Sequence, residues 1–288
     1  MSMILDGKKV AGEKKAIVAE RVEKLAEKGI KPGLAFVAVG ADEASLSYLR
    51  SQERACKKVG ITPQTLRLAE TITAEDLLNQ LFKLNEADDV HGIIVTLPLP
   101  GQLNEERILS AIAPYKDVDC LSPANRGLLA FGQSEFQPAT PAGILSLLEA
   151  YEITVSGKHV VVLGRGKAVG WPLAQMLLTK EKMGNATVTV CHSRSGDLTR
   201  YTRIADILVA AIGRPKFVNS DFIHKDQVLV DAGINGEETP EGWKMSGDID
   251  FNEVSDKVKA ITPVPGGVGP MTVAMLLNNV TEAAERRI

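Results

Sequence analysis

The period of the hydrophobic pattern changes along the chain, and the changes mark out elements. Residues 13–28 repeat apolar positions at helical spacing, with Ile17, Val18, Val22 and Leu25 on one face and Gly29 and Pro32 as stop signals. The run GLAFVAVG (33–40) is continuously apolar, the pattern of a buried strand. The same reading predicts helices over 43–59, 74–86 and 104–112, and strands over 62–68 and 92–100, the last stopping at Pro98. From Tyr115 to Pro141 proline and glycine recur without a sustained period, and a domain boundary is expected near the end of that stretch. A connecting helix is expected at 141–151. Residues 158–178 read as strand, glycine turn and helix; 186–191, 206–212 and 227–234 read as buried strands; a last helix spans roughly 270–286. Apolar strands alternating with helices predict an α/β fold with parallel sheets in both halves.

Composition narrows the class. The chain has 288 residues, 44% hydrophobic and 24% charged, enough for two domains with substantial cores and unlike collagen or a disordered chain. No apolar run approaches the ~18–20 residues of a membrane span. The segment MSMILDGKKVAGEKK has no apolar stretch of signal-peptide length, so a cytoplasmic protein with no membrane partner is expected. The net charge of −3, from 33 Lys+Arg against 36 Asp+Glu, argues against a nucleic-acid partner. Cys56, Cys120 and Cys191 lie far apart without a CxxC pair, and His91, His159, His192 and His224 lack metal-ligand spacing, so neither disulfides nor a metal is expected.

The clearest chemical motif is Gly164-Arg165-Gly166-Lys167-Ala168-Val169-Gly170, a GxGxxxG pattern between a predicted strand and a predicted helix. Glycines there allow a tight turn and close approach of backbone to a pyrophosphate, which the helix N-terminus stabilises. The bland alternative is a plain tight turn. Sites selective for NAD carry an acidic residue about 20 residues after such a loop. Here the strand 186–191 runs into His192-Ser193-Arg194-Ser195, with no carboxylate at that point. Ser193 and Arg194, with Arg165, suit a 2′-phosphate and favour NADP; otherwise Arg194 is a solvated surface charge. Asp197 reads as a helix cap rather than a ribose ligand.

The run Thr262-Pro-Val-Pro-Gly-Gly-Val-Gly-Pro-Met-Thr-Val273, with Lys116-Asp-Val-Asp119, the LPLP at 97–100 and the helix bearing Tyr48, resembles the methylenetetrahydrofolate dehydrogenase/cyclohydrolase family over essentially the whole chain. The resemblance implies an N-terminal α/β folate domain (1–140 plus 271–288) and a C-terminal Rossmann-type NADP domain (141–270), with a cleft between them, in a homodimer. It implies tetrahydrofolate one-carbon derivatives as substrates. Tyr48 matches the tyrosine that stacks on the folate, and Asp119 the aspartate at the pterin end. Thr96, Leu97, Pro98, Pro263, Pro265, Gly266 and Gly267 fall on substrate-lining positions. Gly164, Arg165, Gly166, Ser193, Arg194, Ile234, Gly269 and Thr272 fall on the cofactor side.

Three departures stand out. The family pattern YxxxK is Tyr48-Leu-Arg-Ser-Gln52 here, VQLPLP is Val95-Thr96-Leu97-Pro98, and KDVDG ends in Cys120. Both halves of a lysine–glutamine pair have therefore changed. Positions 48 and 52 share a helix face, so Gln52 is expected beside Tyr48. Hydride transfer from the methylene carbon needs alignment but no proton carrier. Hydrolysis of the methenyl product needs a group that takes and gives a proton, which lysine can be and glutamine cannot. The expectation is an NADP-dependent methylenetetrahydrofolate dehydrogenase with weak or absent cyclohydrolase activity, Tyr48, Gln52 and Asp119 forming the catalytic group. The alternatives are a fully bifunctional enzyme producing 10-formyltetrahydrofolate, a non-catalytic folate- or NADP-binding protein, and a shikimate-type Rossmann dehydrogenase.

Overall fold

A computed structural model describes residues 2–40, 43–239 and 242–287; the side chains at 43–45, 47–48, 237–239 and 242–244 lie outside the described residues. The chain divides into two compact units, one of residues 12–139 and 273–288, the other of residues 1–11 and 140–272.

The first two elements are β1 (Met3–Ile4) and α1 (Gly7–Glu27). The helix begins six residues earlier than the apolar period predicts, because the Asp6 carboxylate accepts from Lys9 N and caps the first turn. Val18, Val22 and Leu25 are buried, but Ile17 is 52% exposed and does not belong to the packed face. Then come β2 (Gly33–Val39), α2 (Glu43–Lys58), β3 (Thr62–Leu68), α3 (Ala74–Glu86) and β4 (Gly92–Val95). These strands form a parallel sheet in the order β3-β2-β4. Every residue of β2 is buried. Leu34, Phe36 and Ala38 face one cluster with Val18, Val22, Leu49 and Cys56; Ala35, Val37 and Val39 face the other with Leu77, Leu81 and Leu84. That alternation explains why β2 reads as an unbroken apolar run: each side chain has a layer to pack against. The predicted strand 92–100 ends at Val95, and the Leu97–Pro98 bond is cis.

The helix expected over 104–112 is α4 (Glu105–Ser110), and the stretch read as loose holds a further helix, α5 (Pro123–Ala130). Ser122 caps α5, its hydroxyl accepting from Asn125 N. Eight residues are too few to establish a helical period.

The other unit contains α6 (Ala139–Ala150), β5 (His159–Leu163), α7 (Gly170–Leu178), β6 (Thr187–Cys191), α8 (Thr199–Thr202), β7 (Ile207–Ala210), β8 (Val228–Asp231), the antiparallel pair β9 (Asn235–Thr239) and β10 (Gly242–Ser246), α9 (Phe251–Val254), β11 (Ala260–Ile261) and the start of α10 (Val268–Glu285). Its parallel sheet has the order β1-β11-β8-β7-β5-β6. The resemblance assigned residues 1–140 to a single domain. The structure moves residues 1–11 to the other unit, because Met3 and Ile4 pair with Ala260 and Ile261. The remainder of α10 returns to the first unit, where Leu276, Leu277, Val280 and Ala283 complete the α1/α2 face of the sheet. The two-residue strands β1 and β11 and the β9–β10 pair had no sequence prediction.

Among the described residues, no helix is long and apolar enough to cross a membrane, and no His/Cys/Asp/Glu group could hold a metal ion. All three cysteines are free and buried. Burial pushes the Cys56 thiol up to about 12 and the Cys120 thiol up to about 11, and raises that of Cys191. Thiolate is the reactive form, so the folded protein is expected to react with no aromatic disulfide reagent at pH 8 and to titrate three thiols once unfolded. Absorbance at saturating reagent, with and without denaturant, checks this.

Candidate active site

The segment after α4 is built to present one carboxyl group. Lys116 is fully buried, and its Nζ donates to Leu84 O at 2.8 Å and Ala87 O at 2.7 Å, two carbonyls at the C-terminal end of α3. The helix end favours a cation there, yet burial still pulls the amine down to about 8. Asp117 is buried too. Its carboxylate accepts from Leu121 N at 3.0 Å, Ser122 N at 2.9 Å and Asn125 Nδ2 at 3.0 Å, fixing the start of α5. Asn279 of α10 donates to Val118 O and Gln137 O, both at 2.8 Å. None of these anchoring bonds uses the carboxyl of Asp119.

Asp119 is half-buried, and loss of water, followed by the charge of Asp117, pushes its carboxyl up to about 7; Arg126 pulls in the opposite direction. Cys120 follows with φ of 54°, in the left-handed region that favours glycine, the residue the family pattern has there. It is fully buried, and its Sγ lies 3.7 Å from Ser134 Oγ. With no histidine at hand and a raised thiol, it fits packing rather than nucleophilic attack.

Five more expected residues lie in this unit. Gln52 is 7% exposed, on α2 between Leu49 and Cys56 of the core face. Tyr48 is one turn earlier on the helix, and its side chain lies outside the described residues. Thr96 follows β4, its N and Oγ1 both directed at Val37 O. Leu97 and Pro98 are exposed.

In the other unit, β5 is flanked by β6 on one side and β7 on the other, which is where strand order reverses in an open parallel sheet and where such sheets bind ligands. Gly164 leaves β5 with φ of 109°, and a Cβ there would lie 2.0 Å from Ala211 O. A Cβ on Gly170 would lie 2.1 Å from Gly164 O. These two glycines are required by the protein itself. Gly166 differs: a Cβ would meet nothing within 4 Å, so open space for an incoming backbone-hugging group remains. Arg165, Ser193 and Arg194 are exposed. The turn after β6 is held by His192 N donating to Ser195 Oγ at 2.9 Å and Arg194 N to His192 Nδ1 at 3.2 Å. Asp197 accepts from Thr199 N and Oγ1 ahead of α8, but the cap position is Leu198, so Asp197 holds the turn before the helix rather than capping it as the sequence suggests.

Pro263–Gly267 form a tight loop with a cis Val264–Pro265 bond, Gly266 at φ of 119°, and Gly267 N donating to Pro263 O at 2.7 Å. Lys8 N donates to Gly266 O, and a Cβ on Gly7 would lie 1.8 Å from Gly267 O. The start of α1 therefore braces this loop, a role the sequence reading missed although Gly7 could have hinted at it. Gly269 and Thr272 lie in the first turns of α10, the Thr272 hydroxyl reaching Thr140 Oγ1 at 3.1 Å. Ile234 is 60% exposed beyond β8.

The tetrahydrofolate dehydrogenase/cyclohydrolase catalytic-domain model matches residues 5–119, and the NAD(P)-binding-domain model of the same family matches 138–288. The chain belongs to this family. A relative from Bacillus cytotoxicus, bifunctional protein FolD, is 46% identical over 99% of this chain and 98% of its own length. The crystal structure of a bifunctional FolD from Campylobacter jejuni superposes with a TM-score of 0.94 at 43% identity, covering 100% of both chains. A Trypanosoma brucei FolD, solved with NADP and an inhibitor, superposes at 0.93 with 35% identity over 99% of this chain and 98% of that one. The two-domain α/β architecture is thus that of the family, with an N-terminal catalytic and a C-terminal NAD(P)-binding domain. The shikimate-type alternative is set aside.

A carboxyl raised in the folded state is a stability cost that is absent below its ordinary value of 3.8, grows as pH rises, and is complete above about 7. Asp119→Asn is therefore expected to raise the thermal midpoint at pH 8 by roughly 2–4 °C, the equivalent of about 1 kcal/mol in a domain of this size, and to change it little at pH 4. Thermal unfolding at both pH values checks the sign.

Proposed function

We propose that this chain is an NADP-dependent methylenetetrahydrofolate dehydrogenase whose cyclohydrolase activity is weak or absent. The observation that carries the reading is Gln52: a neutral, buried amide stands one turn from Tyr48, at the position where the family pattern has lysine.

The residues fit the dinucleotide. Open space at Gly166 suits a pyrophosphate, and the positive end of the α7 dipole favours an anion there, although Trp171 N donates to Gly166 O and Pro172 has no N–H to offer. Ser193, Arg194 and Arg165 are exposed, and the run 192–195 at the end of β6 carries no carboxylate, which suits a 2′-phosphate. Ile234, Gly269 and Thr272 complete the cofactor set. The NADP bound to the Trypanosoma brucei relative supports the same choice. When bound, the dinucleotide supplies the acceptor for the hydride that leaves the methylene carbon of 5,10-methylenetetrahydrofolate, giving the 5,10-methenyl cation.

This chain's residues bind and orient. Tyr48 offers a face for stacking. Asp119 offers a carboxyl that is readily ionised near neutral pH and favours the cation as it forms. Thr96, Leu97, Pro98, Pro263, Pro265, Gly266 and Gly267 shape the folate surroundings. Hydrolysis of the methenyl product demands more: water adds to the carbon, its proton leaves, and the nitrogen of the breaking C–N bond gains one. Gln52 can orient that water but neither takes nor gives the proton. The second reading, full bifunctionality, is favoured by the printed name of the Bacillus relative and by Asp119, whose value of about 7 makes it a possible proton carrier. A homodimer is proposed on the resemblance alone.

Purified protein given methylenetetrahydrofolate and NADP is expected to form NADPH and accumulate the methenyl product. Methenyltetrahydrofolate alone should then decay no faster than in buffer; enzyme-accelerated decay overturns the reading of Gln52. Gln52→Lys, alone or with Thr96→Gln, is expected to raise cyclohydrolase turnover by roughly 10²–10⁴-fold, the usual span of proton-transfer catalysis. Arg194→Ala is expected to weaken NADP about 10–100-fold, the loss of one charge-assisted contact, and to leave NAD nearly unchanged; paired binding titrations check the ratio.

A further inference from the structure

Two carboxylates that no sequence motif marked sit beneath the loops at the C-terminal edge of the six-stranded sheet. Asp248 is fully buried. Its Oδ2 accepts from Ile212 N at 2.6 Å and Gly213 N at 3.0 Å; its Oδ1 accepts from Arg214 N at 2.8 Å and Asn235 Nδ2 at 2.9 Å. Three successive backbone N–H groups thus converge on one side chain, from the loop that continues β7. Asp231, at the end of β8, is 3% exposed. It accepts from Gly233 N, Asp248 N and Ile249 N at 2.8–2.9 Å, and its own N–H donates to Thr262 Oγ1 at 2.7 Å.

Glycines make the approach possible. A Cβ on Gly247 would lie 1.9 Å from Asp231 Oδ2, and a Cβ on Gly233 would lie 2.3 Å from Asp248 Cγ. The two Asp–Gly pairs interlock, so neither carboxylate can shift without moving the other's loop. Three loops are tied together in this way: the one after β7, the one after β8 that carries Ile234, and Thr262 leading into Pro263–Gly267. The loop after β7 also begins at Ala211, whose carbonyl touches Gly164 in the glycine turn.

We infer that Asp248 and Asp231 are positioning residues for the dinucleotide: through the loops they hold, they set where Ile234, the glycine turn and the Pro263 loop meet it. This rests on the proposed NADP site. Burying two neighbouring carboxylates is costly unless each lone pair is used, and here the return is a fixed set of loop ends rather than a larger core. Folate-side residues such as Asp119 are in the other unit and share none of these bonds.

The test uses the full chain. In Asp248→Asn an amide NH2 replaces one acceptor oxygen and meets N–H groups head-on. Amide exchange at 212–214 is expected to quicken, and the calorimetric Kd for NADP to rise about tenfold or more, with the KM for methylenetetrahydrofolate unchanged. Asn235→Ala, which removes one bond to Asp248 and leaves the core intact, is expected to raise the NADP Kd about threefold and serves if the first variant does not fold. Faster exchange at 212–214 with an unchanged NADP Kd overturns the inference, as does an equal rise in both KM values. If the unaltered protein does not bind NADP at all, the functional reading fails and the inference falls with it; unaltered binding in wild type and variants alike removes the inference only.

Discussion

Backbone that leaves a parallel sheet at its C-terminal edge loses its ladder partners, and every buried N–H and C=O there must find another. Beyond the six-stranded sheet the answer is a buried carboxylate, and the other unit uses the same device at the start of α5. Asp117 gathers the N–H groups of Leu121 and Ser122, Asp231 those of Gly233, Asp248 and Ile249, and Asp248 those of Ile212, Gly213 and Arg214. Lys116 does the reverse, giving its ammonium protons to two helix carbonyls. A charge buried alone would be ruinous, but a carboxylate surrounded by amide protons is solvated by the protein itself. The loop ends that carry Gly213, Gly233 and Ile249 are therefore tied to buried side chains, and candidate ligand residues such as Ile234 sit beside these ties.

The Lys116-Asp-Val-Asp119 segment shows the division of labour. Its first two charged residues are consumed by structure, the valine fills the core, and the fourth residue alone keeps a carboxyl to spare. As sequence, the three charged residues look equivalent. Only burial and partners separate Lys116 and Asp117, which hold the backbone, from Asp119, whose carboxyl is pushed up to about 7 chiefly by loss of water.

Much of the fold was legible because its signals are local. The unbroken apolar run of β2 and the strand–glycine–helix pattern around Gly164 each carry their own period, and the Pro263–Thr272 motif identifies the family. What was not legible depends on partners distant in sequence. Met3 and Ile4 become a strand only because Ala260 and Ile261 lie beside them. Asp231 at a strand end and Asp248 in a loop look ordinary until their glycines are seen to make room. Ile17 fits the helical period but points away from the layer that buries Val18. Strand 92–100 was drawn too long because Thr96 bonds Val37 and the chain then turns at Leu97.

The pairing of β1 with β11 also bears on synthesis. The sheet that holds the glycine turn is closed by residues 3–4 against 260–261, and the other unit's core needs Leu276 to Ala283 of α10. Each unit thus waits for residues far along the chain, although residues 12–139 emerge from the ribosome well before them. Nascent chains halted before residue 260 would expose the α1/α2 face of one sheet and leave the edge strand of the other unpaired, whereas chains halted between 272 and 276 would hold every residue of the dinucleotide-side unit and still lack the helix that covers the α1/α2 face.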